Sequence, residues 1–179
     1  MYTRAIAFIC MVFLAGCVQQ PSFPTSAEIQ ASGLKESMAF NIDTTNSKYS
    51  DKKVDVSIAP SLTSMGLYKF ITLTVVNKTK QDIKIVWDET VFIENGASNG
   101  RFMFEGVRYI DRDASKVPDI ILPGATFTKA IYPNAKVLNL PYTGGWVHAK
   151  FESGEYGVYL SLSGKGVDEK IKVMFKMSR

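Results

Sequence analysis

The chain has little of what catalytic and metal-binding sites are usually built from. Its 179 residues hold two cysteines, Cys10 and Cys17, and one histidine, His148. Tetrahedral zinc sites draw on several Cys and His side chains, so a zinc centre of ordinary composition is excluded. Neither GxxxxGK nor GxGxxG occurs, which removes both glycine-rich phosphate cradles. Long hydrophobic runs are missing too. The N-terminal one, "AIAFICMVFL" from Ala5 to Leu14, has ten residues before small ones begin. As a helix it rises only about 15 Å, half of a bilayer core, so it is not expected to span a membrane. Charge is balanced, with 21 Lys+Arg against 17 Asp+Glu. That excess is too small and too dispersed for a nucleic-acid footprint, and no nucleic-acid partner is expected. The densest basic groups, "DKK" at 51–53 and "EKIKVMFKMSR" at 169–179, read as solvated strand faces. A sustained 3.6-residue apolar period, the mark of amphipathic helices, is also lacking.

What is present begins with the leader. Arg4 and the α-amine, the short apolar centre and then small residues form the three parts of a secretory signal. Its last residues, Leu14-Ala15-Gly16-Cys17, resemble the lipobox of bacterial lipoproteins, with Leu at −3, small residues at −2 and −1 and Cys at +1. The resemblance covers the leader alone. It implies that residues 1–16 are a lipoprotein signal peptide, that the Cys17 thiol takes a diacylglycerol, that the chain is cut before Cys17 and that the new amine is acylated. One acyl chain anchors weakly, at about 0.8 kcal/mol per buried methylene, whereas two or three on one residue hold firmly. Val18 stands where Asp would favour inner-membrane retention, so the resemblance implies an outer-membrane protein facing the periplasm. The plainer alternative is an ordinary signal peptide with an incidental Cys.

On that reading Cys10 leaves with the leader and Cys17 is acylated, so the mature chain, 17–179, has 163 residues and no free thiol. Disulfide and cysteine chemistry are then absent. Loss of Arg4 leaves 20 Lys+Arg against 17 Asp+Glu, a side-chain charge of +3. The length suits one domain with its own core. Residues 18–50 are rich in Ser, Thr, Gln, Asn and Pro without a period, so residues 17–50 are expected to form a lipidated, flexible tether and 51–179 the domain.

From Val54 the pattern changes to period two. "LYKFITLTVV" sets Leu67, Ile71, Leu73 and Val75 on one face, and "IKIVWD" sets Ile83, Ile85 and Trp87 together. The linker "NKTKQD" supplies turn residues, so these two runs are expected to pair as a hairpin. "RFMFEGVRYI" alternates with a slip at Gly106, where a bulge would bring Phe102, Phe104, Val107 and Tyr109 onto one face. "LPG" at 122–124 predicts a turn, and "TFTKAIY" and "GWVHAKF" predict strands. The strongest hairpin signal is "YGVYLSLS" and "EKIKVMFKM" around "GKGVD". Tyr156, Val158, Leu160 and Leu162 share one face there, as do Ile171, Val173, Phe175 and Met177. The fold class expected from this spacing is all-β, an antiparallel β-sandwich of immunoglobulin-like topology.

Several motifs carry chemistry on paper. "GASNG", Gly96 to Gly100, matches the serine-hydrolase elbow, with Ser98 followed by Asp111, Asp113, Asp119 and then His148. The elbow needs a strand before it and a helix after it, and strand-like residues flank it on both sides, so a hairpin loop is expected. "SGLK", Ser32 to Lys35, matches S-x-x-K without its companion motifs. Asp111-Arg112-Asp113-Ala114-Ser115 opens like a calcium loop, but Lys116 stands where Gly belongs and Leu122 where the bidentate Glu belongs, so turn or capping roles are expected. His148 is expected on the solvent face of its strand, with Val147 and Ala149 turned the other way. Trp146 is expected in the core. Asn77-Lys78-Thr79 matches a glycosylation sequon, which carries no meaning in a bacterial envelope.

No catalytic residue, metal or cofactor is expected, and Cys17 is the single site residue, for lipid attachment. Three functions fit: a non-enzymatic lipid-anchored envelope protein whose sandwich binds a protein partner for assembly, scaffolding or accessory work; an exclusion or inhibitor lipoprotein that blocks an outer-membrane receptor or envelope enzyme; and a small serine hydrolase using Ser98 and His148. Substituting Cys17→Ser should leave an uncleaved or soluble precursor, read by mass spectrometry and membrane fractionation. A variant that still carries lipid in the outer-membrane fraction would refute the lipobox reading.

Overall fold

The computed structural model describes residues 41–62, 68–140, 145–149 and 151–178. Cys17 and the SGLK stretch lie outside the described residues. In chain order the strands are β1 (Asn41–Asp43), β2 (Lys48–Ser50), β3 (Val54–Leu62), β4 (Tyr68–Asn77), β5 (Ile83–Ile85), β6 (Val91–Glu94) and β7 (Ala97–Ser98). They continue as β8 (Phe102–Met103), β9 (Asp119–Ile121), β10 (Thr126–Pro133), β11 (Val137–Leu140), β12 (Gly145–His148), β13 (Gly154–Gly164) and β14 (Val167–Ser178). One sheet runs β2-β3-β4-β10-β8 and the other β1-β14-β13-β5-β9, with β6 on β13 and β7 on β6. β11 and β12 form a separate two-stranded ribbon. All the pairings are antiparallel.

The expected all-β antiparallel sandwich is present, with β3, β4 and β10 neighbours in one sheet and β5, β13 and β14 neighbours in the other. β13 carries two short partners in succession along one edge. β5 pairs with Leu162–Gly164 and β6 with Tyr156–Tyr159 of the same strand. Between them the chain loops out and back: Thr90 Oγ1 donates to the Val86 carbonyl (2.9 Å) and accepts from Ser161 N (3.2 Å). The loop turns Trp87 into the core.

Alternation explains the rest. Val54, Val56 and Ile58 of β3 and Ile71, Leu73 and Val75 of β4 are buried in one cluster with the inward residues of β13 and β14. Those are Tyr156, Val158, Leu160, Leu162, Ile171, Val173, Phe175 and Met177, the two faces expected from sequence. Each such side chain stabilises by about 1.5–3 kcal/mol relative to exposure. Rings fill the end near β6, where Phe92 stacks on Tyr156 at 6.1 Å between centroids and meets Phe151 edge-on at 5.9 Å.

Three expectations are corrected. β4 and β5 do not form a hairpin, since β4 lies between β3 and β10 while β5 lies in the other sheet. The period-two pattern says which side chains are buried, and Ile71, Leu73, Val75, Ile83, Ile85 and Trp87 are, Leu67 lying outside the described residues; it does not say which strand is the neighbour. The crossing is fixed by Asn77, fully buried, whose Nδ2 donates to the carbonyls of Gln81 (2.8 Å), Ile121 (3.0 Å) and Leu122 (3.2 Å) while its Oδ1 accepts from Thr79. The sequon asparagine is thus a buried structural residue. Next, 102–109 is not one bulged strand. Gly106 sits at φ +84° in a turn closed by Val107 N on the Phe104 carbonyl (3.1 Å), so Phe102 joins the main core while Met103, Val107 and Tyr109 join a second cluster with Tyr132 and Val137. Last, residues 41–50, read as tether, carry β1 and β2, which pair with β14 and β3. The "LPG" turn is as expected, with Ala125 N on the Leu122 carbonyl (3.1 Å) and Gly124 at φ +70°.

Ile42 and Tyr49 pack half-buried against the core, and the Asn46 carbonyl accepts Met174 N (2.9 Å). Trimming the chain to begin at Lys53 should therefore cost about 2–4 kcal/mol of unfolding free energy, measured by urea denaturation against a chain that begins at Asn41. An unchanged midpoint would show that β1 and β2 add nothing.

Candidate functional site

The hydrolase elements lie on different strands, Ser98 on β7 and His148 on β12. β6 turns into β7 through Asn95 and Gly96, at φ +49° and +84°, the two-residue turn that Asn-Gly favours. Ser98 follows the turn, paired with Ile93 and exposed. His148 lies in the β11–β12 ribbon, its ring stacked on Tyr132 at 4.8 Å and edge-on to Trp146 at 5.2 Å. It therefore faces the second cluster, and Val147 is the exposed neighbour, the reverse of the expected orientation. The register decides this: Val137 pairs with His148 and Leu138 with Val147, so Val137, Trp146 and His148 share the inner face. Trp146 packs against that second cluster, not the main core, and its Nε1 donates to the Val107 carbonyl (3.0 Å).

The aspartates hold local structure. Asp111 closes a 3-10 turn, Tyr109–Asp111, and accepts from Arg108 Nε (2.7 Å). Asp113 accepts from Asn134 Nδ2 (2.9 Å). Lys116, at the position a calcium loop gives to Gly, curls back so that its Nζ donates to the carbonyls of Arg112 (2.7 Å) and Ala114 (3.0 Å). Burial, and next the charge of Arg101, push its pKa down. This loop carries its own cation. Asp119 accepts from Trp87 Nε1 (2.9 Å) and from Lys129 Nζ (2.6 Å). That lysine lies 4.0 Å from the Phe104 ring centroid and 5.3 Å from that of Trp87. Ammonium, ring faces and carboxylate thus pin β9, β10 and the β5–β6 loop together.

One polar trio was missed. Ser161 and Lys170 are paired across β13 and β14, so the hairpin register alone could have found them. Lys170 Nζ donates to Ser161 Oγ (2.7 Å), and both donate to Glu89, which no local pattern links to them. Hydrogen bonds from Lys170 and then Ser161 hold the Glu89 carboxyl below its ordinary range. A serine nucleophile needs an accepting base beside it; here the ammonium and carboxylate complete a closed hydrogen-bond set that fastens the β5–β6 loop to β13.

Two apolar surfaces remain. Among the described residues β9 pairs with β5 alone, and Ile120 on the strand and Leu122 just after it are 56% and 60% exposed, while Ile121 is buried. Ile110 and Val117, nearby in sequence, are also exposed. On the outer face of the ribbon Leu138 and Val147 stand opposite each other, 52% and 39% exposed, with Leu140 beside them. The sequence signal for both was a strand with apolar residues on each face. No family model matches the chain, nor does any curated protein or solved structure.

These placements give a paired expectation. Ser98→Ala should change stability by under about 0.5 kcal/mol, as for an exposed side chain away from special features. Asp119→Ala should cost about 1–3 kcal/mol, because it strips the acceptor from Trp87 and Lys129 together. Thermal unfolding of both variants checks this, and a cost at Ser98 equal to that at Asp119 would contradict it.

Proposed function

We propose that this is a non-enzymatic, lipid-anchored protein of the bacterial outer membrane, held on the periplasmic side through Cys17, whose sandwich docks a protein partner along β9. The observation that carries the docking reading is the composition of that edge. An unpaired strand edge offers backbone donors and acceptors to another chain, and proteins usually blunt such edges with charge, proline or a covering loop. Pro118 stands just ahead of the strand, but Ile120 and Leu122 present apolar side chains along it. A partner strand added there would gain main-chain hydrogen bonds and two side-chain anchors. Assembly, scaffolding and accessory roles all fit this chemistry, and an exclusion or inhibitor role would use the same edge. The hydrolase alternative is less favoured, because Ser98 follows a hairpin turn, exposed on β7, and the His148 ring stacks on Tyr132.

A photo-crosslinking side chain at Ile120 in the intact cell envelope should yield a discrete protein adduct. One at Lys172, outward on β14, should not. Adding Leu122→Lys should suppress the adduct without lowering the melting temperature. An envelope-localised protein that gives no adduct at Ile120, or an adduct indifferent to the added lysine, would refute docking at β9.

A further inference from the structure

The outer face of the β11–β12 ribbon asks for a different occupant. It offers Leu138 and Val147, directly paired, with Leu140 on the same side. No Asp, Glu, Lys or Arg occurs between Lys136 and Lys150 in the sequence. Lys136, at the root, is committed to Glu94 (2.5 Å). The strands of the ribbon are four residues each, far too small for a stable protein interface, which buries about 800 Å² on each partner. Such a face suits something already held close by another attachment.

The topology shows what is held close. Asn41 pairs with Ser178 and Ile42 with Met177, and Met177 pairs in turn with Gly154. β12 ends six residues before Gly154, at His148. The point where the described chain begins and the ribbon therefore lie toward the same, Gly154 end of the second sheet, with Ile42 about 10 Å from Gly154 at two strand spacings. Residues 17 to 41 can span at most about 85 Å, whatever their conformation. An anchor on Cys17 would join the domain at this end, the end that carries the ribbon, and keep it within that reach of the lipid surface.

We propose that Leu138, Val147 and Leu140 rest in the headgroup–acyl boundary of the membrane that carries the Cys17 anchor, as a second, weak attachment that sets the orientation of the domain. The orientation rests on the lipid-anchor reading; the insertion of the ribbon does not. Peripheral apolar faces of this kind sink about 5–10 Å, and weak single attachments become stable in pairs.

The test uses the mature lipidated chain in phosphatidylethanolamine–phosphatidylglycerol vesicles, with lipids brominated near the top of the acyl chain as quenchers. Val147→Trp adds a fluorophore on the ribbon, and Ile120→Trp adds one on β9; the wild-type signal of Trp87 and Trp146 is subtracted. More than half of the emission added at position 147 should be quenched, and almost none of that added at 120. Leu138→Asp in the Val147→Trp chain should abolish the quenching. Vesicle-bound protein with no quenching at 147, or equal quenching at both positions, overturns the proposal. So does emission at 147 that ignores bromine but changes when the protein captured through Ile120 is added, since the ribbon would then be a protein contact. Mass spectrometry of the same sample reports acylation of Cys17 separately. Quenching at 147 with a bare Cys17 keeps the ribbon and refutes the anchor, and an acylated Cys17 without quenching does the reverse.

Discussion

Eleven consecutive Cα pairs, Gly154↔Met177 through Gly164↔Val167, hold β13 against β14, and every other strand of their sheet attaches to this pair or to its neighbours. The two-residue turn at Lys165 and Gly166 fixes the register, and the register puts Tyr156, Val158 and Leu160 opposite Phe175, Val173 and Ile171 on the same face. A slip of one residue would turn all of them to solvent. Gly157 shows how closely the strands approach: a Cβ there would stand 2.3 Å from the Val173 carbonyl oxygen and 2.4 Å from Met174 Sδ. Met174 can lie over β13 because position 157 has no side chain.

This pair was legible in the sequence because its information is local. Alternation over eight residues, a turn and alternation again leave one antiparallel solution. The β4–β5 connection carried the same signs and meant something else. Its strands are buried on the expected faces, but Asn77 ties the connection to the Ile121 and Leu122 carbonyls, more than forty residues on, and no local pattern shows that acceptor pair. Residues 41–50 failed for the opposite reason. Two strands of three residues carry too little periodicity to be seen, and each exists only because a longer strand offers it an edge.

The candidate surfaces divide in the same way. Dismissal of GASNG needed only the strand-like residues around it, and the Asn95-Gly96 turn was written one residue earlier than the motif. His148 required the β11–β12 register, which pairs it with Val137 and turns it toward Tyr132. Lys129 and Asp119 lie ten residues apart, but their meeting over Trp87 depends on β9 and β10 belonging to different sheets, a fact of topology. Exposed apolar residues on β9 and the ribbon were hidden because an apolar residue in a strand is first taken as core.

The length of β13 relates the two surfaces to each other. The ribbon and Asn41 lie at its Gly154 end. β9 lies level with its other end, because Ile121 pairs with Ile83 and Ile83 with Gly164, while Asp119 pairs with Ile85 and Ile85 with Leu162. Eight to ten residues at about 3.3 Å each separate the two levels, on the order of 25–30 Å along the strand. The proposed membrane contact at the ribbon would therefore hold the β9 edge away from the lipid and turned toward solvent. An acyl chain alone leaves the domain free to tumble and to bring any face to the bilayer. A second contact at one pole removes most of those orientations, and the edge left at the far pole is the one whose apolar side chains have no cover within the described fold.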